Sequence, residues 1–271
     1  MRLPALLACA ALLAGCDVQV GKEGELSVNV AEGRARDEWV RSYTIQPGGT
    51  LDIVNVNGRI EATGTAGTQI EVRAERIVRD HATETAEQRL REVKMLEEVS
   101  ASRVRIEAEA PRDAGILGHR SSLNVTYRVS VPAGVAVNLE TENGEILLDN
   151  LNGRVTVSTT NGRVNGKALS GPLSLESTNG GVQLDFAAVG GDIQVSTTNG
   201  GIRLGLPGGV KATLDASCVN GEITVDDELM LQASENSRRR LSGTFNGGGP
   251  RIAASTVNGG IRIRPRETRP E

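Results

Sequence analysis

The sequence predicts an all-β protein built as a parallel β-solenoid, with coils of about 19 residues and one added α-helix. The dipeptide Asn-Gly recurs through the second half of the chain, at intervals of 18, 18, 20, 21 and 38 residues. Each copy lies between two short segments in which apolar and polar residues alternate, as in half-buried β-strands. Equivalent positions of successive copies carry similar residues, which is typical of stacked coils. We interpret the last interval as two periods with one Asn-Gly missing.

The Asn-Gly dipeptides are predicted to form corners between strands. Their asparagines are Asn143, Asn161, Asn179, Asn199, Asn220 and Asn258. The apolar alternation changes phase across each dipeptide, and Asn and Gly tolerate the positive φ that such a corner can require. Stacked corners would align the six asparagines, so we expect a ladder of side-chain hydrogen bonds rather than a binding site.

A meander of antiparallel hairpins is the alternative topology. Asn-Gly between alternating strands is also a strong hairpin signal. Each coil, however, has a second and weaker turn at its midpoint, as at residues 151–153 and 207–209. Together with the matching columns of residues, this second turn favours the solenoid.

The first 15 residues have the composition of a secretory signal peptide, with Arg2 near the start and an apolar run after it. The sequence Leu-Ala-Gly-Cys ending at Cys16 resembles the lipobox of bacterial lipoproteins. This resemblance implies cleavage before Cys16, a covalent lipid on that residue and attachment to a membrane. Asp17 resembles the inner-membrane retention signal of enterobacterial lipoproteins. A plain secretory peptide with an incidental cysteine is the alternative.

Charge and cysteine content exclude several classes of protein. The chain has 30 Lys and Arg against 34 Asp and Glu, which does not favour a nucleic-acid partner. Removal of the signal peptide takes Cys9, and lipidation uses Cys16, so neither an intrachain disulfide nor a cysteine metal cluster is expected. Cys218 stands two positions before Asn220, where other coils have Thr or Ser, and is predicted to be a small buried residue. Apart from the lipid, no cofactor is expected.

The remaining segments are assigned in chain order. Residues 16–38 are predicted to be the lipidated N-terminus and a tether, and residues 39–264 the solenoid domain. Within that domain, residues 83–99 are predicted to form an amphipathic helix that packs on or caps the solenoid, because Thr85 and Gln88 have capping-box spacing. Residues 226–250 are predicted to form an exposed loop or irregular hairpin, and residues 265–271 a charged tail.

The order of these parts resembles a bacterial family called "putative adhesin" and otherwise classed as a domain of unknown function. The resemblance rests on early strands with a corner at Asn57, a short helix, a Y-x-V-x-V-P segment beginning at Tyr127, and serial T-x-N-G-x-I turns. It covers roughly residues 40–264. It implies a right-handed β-solenoid at the cell envelope, and it brings no catalytic residues.

A polysaccharide-active enzyme is the main alternative, because many sugar-cleaving enzymes are β-helices. Glycoside hydrolysis needs two carboxylates at a defined separation. Asp185 and Asp226 both stand six positions after a corner asparagine, which predicts that they lie two coils, or about 10 Å, apart. Such a match is easily accidental, and His81 and His119 lack metal-ligand spacing. We therefore predict no catalytic residue and no metal site.

The sequence thus predicts a lipid-anchored, non-enzymatic protein of the bacterial envelope, on the periplasmic or surface side, that serves as an adhesin-like scaffold or interaction surface. The expected partners are the membrane and an envelope protein or polysaccharide. The aromatic residues available for sugar stacking are only Trp39, Tyr43, Tyr127, Phe186 and Phe245. Binding along a strand edge or across a flat polar sheet is therefore favoured. An accessory or sensor protein of an envelope-stress system is a further alternative.

Overall fold

The computed structural model describes residues 16–20, 26–30, 33–110 and 122–266. These residues contain one α-helix, α1 (Thr83–Glu92), and one 3-10 helix (Asp227–Leu229). The strands are β1 (Cys16–Val20), β2 (Leu26–Val30), β3 (Gly33–Thr44), β4 (Thr50–Asn57), β5 (Ile60–Thr65), β6 (Gln69–Asp80), β7 (Lys94–Val99), β8 (Arg103–Glu109), β9 (Ser122–Pro132), β10 (Ala136–Asn143), β11 (Ile146–Asp149), β12 (Val155–Asn161), β13 (Val164–Leu169), β14 (Leu173–Asn179), β15 (Val182–Phe186), β16 (Ile193–Asn199), β17 (Ile202–Leu206), β18 (Ala212–Asn220), β19 (Ile223–Val225), β20 (Leu231–Asn236), β21 (Arg240–Phe245), β22 (Arg251–Asn258) and β23 (Ile261–Pro265). The predicted signal peptide, His119 and most of the predicted tail lie outside the described residues.

The strands form two large sheets, and each coil contributes one strand to each sheet. Sheet 1 has the order β20-β21-β18-β22-β16-β14-β12-β10-β4-β8-β7, and sheet 2 has the order β19-β23-β17-β15-β13-β11-β5-β9-β6-β3. The pairing between coils is parallel, so that Val137 lies beside Val155 and Val155 beside Leu173. The all-β prediction and the parallel stacking of like residues are confirmed, and the hairpin meander is wrong for these coils.

The core lies between the two sheets and consists of the inward side chains of both. Val155, Leu173 and Ile193 occupy one position in three successive strands of sheet 1, and each is buried. Val164, Val182 and Ile202 do the same in sheet 2. Full burial of an aliphatic side chain contributes about 1.5–3 kcal/mol. Because this contribution is repeated in every coil, the alternation in the sequence determines which face of each strand points inward.

The last coil does not lie at the end of the stack. β22 and β23 are inserted between the coil of β16 and β17 and the coil of β18 and β19. The chain reaches this place because β20 and β21 form an antiparallel hairpin, and β21 pairs antiparallel with β18. The interpretation of the 38-residue interval as a missing corner is therefore wrong. The hairpin reverses the chain, and the returning coil fills the space that β18 leaves beside β16.

The helix is shorter than predicted. α1 ends at Glu92, Val93 has extended backbone angles, and Lys94–Val99 forms β7 at the edge of sheet 1. The expected capping box does not form, since the residue preceding the helix is Ala82. Leu90 and Ala86 pack against Ala35 and Val78, whereas Leu96 and Val99 are 44% and 57% exposed. Backbone pairing with the open edge of β8 overrides the helix propensity of the second half of the segment.

The N-terminal part of sheet 2 is antiparallel. β3 pairs with β6 over twelve residues, and β6 pairs with β9. β3 begins at Gly33, before the predicted start of the domain at residue 39. Parallel pairing begins with β8 and β9, which lie beside β4 and β5, and β4 and β5 pair in turn with β10 and β11. The stack therefore starts from an antiparallel end layer, and the repeating coils grow from it.

The assignment of which β16 side chains point into the core gives a direct test of the fold. Val195 is 1% exposed and its neighbour Gln194 is exposed. Val195→Asp would bury a carboxylate without a partner and should lower the free energy of unfolding by about 3 kcal/mol or more, whereas Gln194→Asp should lower it by less than about 0.5 kcal/mol. Urea unfolding of the two variants measures the difference. Equal losses of stability would contradict the assigned facing of this strand.

Candidate interaction surface

The corner asparagines form one continuous ladder along the stack. Each side-chain amide nitrogen, Nδ2, donates a hydrogen bond to the amide oxygen, Oδ1, of the asparagine in the neighbouring coil. The donor–acceptor pairs are Asn143 to Asn57, Asn161 to Asn143, Asn179 to Asn161, Asn199 to Asn179, Asn258 to Asn199 and Asn220 to Asn258, at 2.8–3.1 Å. The structure thus brings together the six asparagines named from the sequence and adds Asn57. These amides are occupied with one another, which favours a structural role.

The glycines after these asparagines are required by close approach. A Cβ atom on Gly180 would lie 1.8 Å from the carbonyl oxygen of Gly162, and one on Gly200 would lie 2.0 Å from that of Gly180. The corner amides also donate between coils, as Gly162 does to the carbonyl of Asn179 at 2.9 Å. The positive φ predicted from the sequence is not found at every corner. At Gly180 and Gly200 the φ angle is not in that region, so steric contact between stacked backbones is the reason for glycine.

Behind each corner stands a buried column of small polar residues. It consists of Thr141, Thr159, Ser177, Thr197, Thr256 and Cys218. Thr256 donates its hydroxyl hydrogen bond to the carbonyl of Gly200 at 2.9 Å, which links the column to the corner backbone. Cys218 is buried, as expected, with its Sγ 3.9 Å from the carbonyl oxygen of Arg238. This column fills the inside of the corner, and its side chains are buried.

The outward face of sheet 1 carries a trough beside the corners, which we call the hydroxyl trough. Two outward rows line it, and they cross β12, β14, β16, β22 and β18. One row is Ser158, Glu176, Ser196, Ser255 and Ser217, and the other is Thr160, Thr178, Thr198, Val257 and Val219. The trough encloses about 490 Å³. Five strands extend over about 19 Å, so the trough is long enough for an extended chain lying across the strands.

The chemistry of the hydroxyl trough is that of a binding surface. Serine and threonine hydroxyls both donate and accept hydrogen bonds. Val219 and Val257 are 54% and 41% exposed and add an apolar patch at one end. Glu176 is the single carboxylate of the lining residues. The trough is not predicted from the sequence, although the Ser and Thr that precede most of the Asn-Gly dipeptides are a signal for it.

The predicted pair of carboxylates is not brought together. Two strands, β17 and β23, lie between Asp185 and Asp226, so the residues are three strand spacings apart, or about 14 Å. Arg264 reaches across Gly205 and forms an ion pair with Asp185 at 3.5 Å. Asp226 instead accepts a hydrogen bond from the backbone of Glu228 at 3.1 Å and caps the 3-10 helix. The prediction of a two-coil separation is wrong because the inserted coil of β23 separates the two residues.

The histidine that the structure describes belongs to the layer near α1. His81 contacts the buried carboxylate of Asp80, which also pairs with Arg89 at 2.8 Å. Burial opposes ionisation of Asp80, but hydrogen bonds from the His81 amide and ring and the charge of Arg89 hold its pKa below the ordinary value. Within the described ranges, no group of three or more His, Cys, Asp or Glu side chains is arranged to hold a metal ion. This cluster therefore stabilises the layer between β6 and α1.

The fold and its corners define the class of the protein as a two-sheeted β-solenoid with stacked Asn-Gly turns. Comparison with protein families gives the particular family. The Toastrack DUF4097 family matches residues 113–264, and the chain belongs to this family. The resemblance to a "putative adhesin" family of unknown function is thereby confirmed. No curated protein matches the sequence significantly.

Solved structures with a similar course of the chain come from several bacteria. A putative cell adhesion protein from Clostridium sporogenes is 12% identical, with 86% of this chain and 100% of that chain covered and a TM-score of 0.49. A putative adhesin from Bacteroides fragilis is 13% identical, with 84% and 97% covered and a TM-score of 0.38. A putative lipid binding protein from Parabacteroides distasonis is 9% identical, with 84% and 96% covered and a TM-score of 0.27.

The close stacking at the corner predicts a strong effect of one added methyl group. Gly180→Ala should lower the free energy of unfolding by about 2 kcal/mol or more, because the new Cβ would meet the carbonyl of Gly162. Gly208→Ala is the matched control, since a Cβ there has nothing within 4 Å and should change stability by less than about 0.5 kcal/mol. Denaturant unfolding measures both variants. Similar midpoints for the two would show that the corners are not tightly stacked.

Proposed function

We propose that this protein is a lipid-anchored, non-enzymatic scaffold of the bacterial cell envelope, whose hydroxyl trough is an adhesin-like docking surface for an envelope protein or polysaccharide. The observation that carries this proposal is the trough itself. It presents two outward rows, made mostly of Ser and Thr, over five adjacent strands of one sheet. A surface of this kind binds through many weak hydrogen bonds along its length and needs no deep pocket.

The shape of the trough favours an extended partner. A partner lying across the strands meets Ser158, Ser196 and Ser255 in turn, with neighbouring strands about 4.8 Å apart. Hydroxyl groups in this arrangement can pair with the hydroxyl groups of a glycan or with the backbone of an extended peptide. The aromatic rings described in the molecule include the fully buried Tyr127, Phe186 and Phe245, so sugar stacking on them is not part of this proposal.

The non-enzymatic part of the proposal rests on the carboxylates. Inverting glycosidases hold their two carboxyl groups about 6.5–9.5 Å apart, and retaining ones hold them closer. Asp185 and Asp226 are separated by about 14 Å and by two strands. Asp185 is neutralised by Arg264, and Asp226 caps a helix. The two carboxylates are too far apart to act together on one glycosidic bond.

The envelope location and the lipid anchor are inferred from the sequence around Cys16. The lipobox-like Leu-Ala-Gly-Cys implies attachment through Cys16, and Asp17 favours the inner membrane, with the domain on the periplasmic or surface side. Among the residues that the structure describes, no helix is both long and apolar enough to cross a bilayer. We infer a right-handed winding of about 19 residues per coil, the hand that connections between parallel strands adopt in nearly all proteins.

The anchor is tested by metabolic labelling with a fatty-acid analogue. The unchanged protein should take up label and be processed before Cys16. Cys16→Ala should carry no label and remain an unprocessed precursor, because the thiol is the attachment point. Cys9→Ala is the control and should be labelled as strongly as the unchanged protein. Equal labelling of the Cys16 and Cys9 variants would refute lipidation at Cys16.

The trough is tested by filling it. In the chain from residue 16 onward with Cys16→Ser, which has no lipid to hold it on a membrane, Ser196→Arg places a long side chain at the centre of the trough. Retention of this variant on isolated bacterial envelopes should fall at least about tenfold, because the partner is displaced. Thr63→Arg adds the same side chain to an exposed position of sheet 2 and should change retention little. Co-sedimentation with envelopes measures both.

Two results would contradict the proposal. Equal retention of the Ser196→Arg and Thr63→Arg variants would show that the trough is not the binding surface. Shortening of envelope polysaccharide during the same incubation, if it is lost in Asp185→Asn, would overturn the non-enzymatic assignment. The expected outcome is retention of the unchanged protein with no change in polysaccharide length.

A further inference from the structure

The outward face of sheet 2 carries a cluster of cationic side chains, which we call the basic face. It covers four adjacent strands, β13, β15, β17 and β23, and the residue that directly precedes β13. Its members are Arg163, Lys167, Arg203, Arg262 and Arg264. The only carboxylate on the outward side of these four strands is Asp185, which pairs with Arg264. The basic face is therefore strongly positive, although the whole chain has a formal net charge of −4.

Two of these arginines stand directly beside each other. Arg203 and Arg262 are register partners in β17 and β23, and both are exposed. In the described part of the chain neither forms an ion pair or a side-chain hydrogen bond. Like charges directly opposite each other on a sheet are destabilising. Folding of the domain does not explain this arrangement, since it gains nothing from the pair.

Several cations elsewhere on the same sheet have anionic partners, whereas Arg34 and Arg79, which face each other in β3 and β6 at the far edge, form no ion pair with a described residue. Arg59 forms an ion pair with Glu145 at 2.9 Å, and Arg128 forms one with Glu61 at 3.2 Å. Both of these pairs lie on strands between the basic face and β3. Cations without an ion-pair partner therefore occur toward both ends of sheet 2, and the basic face is the end where they share four strands with a single outward carboxylate.

The row of residues beside the arginine pair consists of glycines and has no side chains. Gly181, Gly201 and Gly260 directly precede β15, β17 and β23 and form the neighbouring row. Gly201 and Gly260 are exposed, and no side chain of theirs rises around the guanidinium groups. A flat anionic surface can therefore approach Arg203 and Arg262 without displacing protein atoms.

The distribution of the cations distinguishes a surface from a linear polymer. Four strands span about 14 Å across the sheet. The cations also occupy three outward rows along the strands, with Arg163 in the first, Arg203 and Arg262 in the second, and Lys167 and Arg264 in the third. A linear polyanion would be matched by a single row. Spread in both directions, the charges match a layer of anionic headgroups.

The N-terminus brings the same sheet close to the predicted anchor. β1 and β2 are antiparallel, and Cys16 is the register partner of Val30. Gly33, where β3 begins at the edge of sheet 2, follows three residues later, so Cys16 lies within about 15 Å of that edge. This step rests on the lipidation of Cys16 proposed above, whereas the charge pattern does not depend on it.

We propose that the basic face binds the anionic headgroups of the membrane that holds the protein. Sheet 2 then lies on the membrane, and the hydroxyl trough on the outward face of sheet 1 points away from it toward a partner. Electrostatic attraction supplies about fivefold in membrane partitioning for each Lys or Arg near the headgroups. The two outward faces of the solenoid thereby have separate tasks.

The experiment uses the chain from residue 16 onward with Cys16→Ser, so that no lipid contributes to binding. Phosphatidylcholine vesicles with and without phosphatidylglycerol are sedimented with the protein at low salt. The protein should bind only the anionic vesicles and should dissociate at about 1 M salt, where charges are screened within about 3 Å. Arg203→Gln combined with Arg262→Gln should lower partitioning about 25-fold.

The matched control combines Arg154→Gln with Lys211→Gln. Both side chains are exposed in the turns that lead into β12 and β18, and the net charge changes by the same amount. Partitioning of this control should fall by less than about threefold. Both double variants should keep the melting temperature of the parent, because only exposed side chains change.

Three outcomes would overturn the proposal. The parent protein could fail to distinguish anionic from zwitterionic vesicles, or the two double variants could bind equally. It is also overturned if the protein ignores vesicles but binds soluble polygalacturonate through Arg203 and Arg262, since the basic face would then serve a linear polyanion. None of these results bears on labelling at Cys16 or on the Ser196→Arg test, so failure here is distinct from failure of the proposed function.

Discussion

Contact between stacked backbones at the Asn-Gly corners is the constraint on which the rest of the structure depends. At each corner a glycine lies against the carbonyl of the glycine in the next coil, closely enough that a Cβ would overlap it. The asparagine before it donates a side-chain hydrogen bond to its counterpart. Both contacts require corners to stack directly above one another. The register of the repeating coils follows, because each of their strands begins or ends at such a corner.

Because the strands of the coils are in exact register, equivalent residues of successive coils lie beside one another and form columns across the sheets. Inward columns of Val, Leu and Ile form the core, and the small polar column behind the corner closes it. Outward columns become rows with a fixed spacing, in which similar side chains often repeat. The hydroxyl trough is two such rows on sheet 1, and the basic face lies on outward rows of sheet 2. The residues proposed to bind partners therefore lie in extended rows, whereas the catalytic residues of an enzyme converge in a cleft.

The irregular segments set where these rows begin and end. The antiparallel layer of β3, β6 and β9, with α1 packed beside it, closes one end of the stack. The β20–β21 hairpin covers the other end of sheet 1 and turns the chain back into the stack. Without that reversal Arg262 would not lie beside Arg203. The insertion that separates Asp185 from Asp226 is thus the same one that builds the arginine pair.

The sequence by itself determined the local features, namely the strands, their inward faces, the corners and the stacking of like coils. These depend on alternation and on the Asn-Gly corner, which act over a few residues. Tertiary structure decided the order of the coils, because the inward-facing residues of different coils are nearly alike. Ile252 fits equally beside Ile193 or beside Leu214, and only the hairpin places it between them. The change from helix to β7, the separation of Asp185 from Asp226 and the pairing of Arg203 with Arg262 all arise from contacts between residues distant in the chain, which no local pattern encodes.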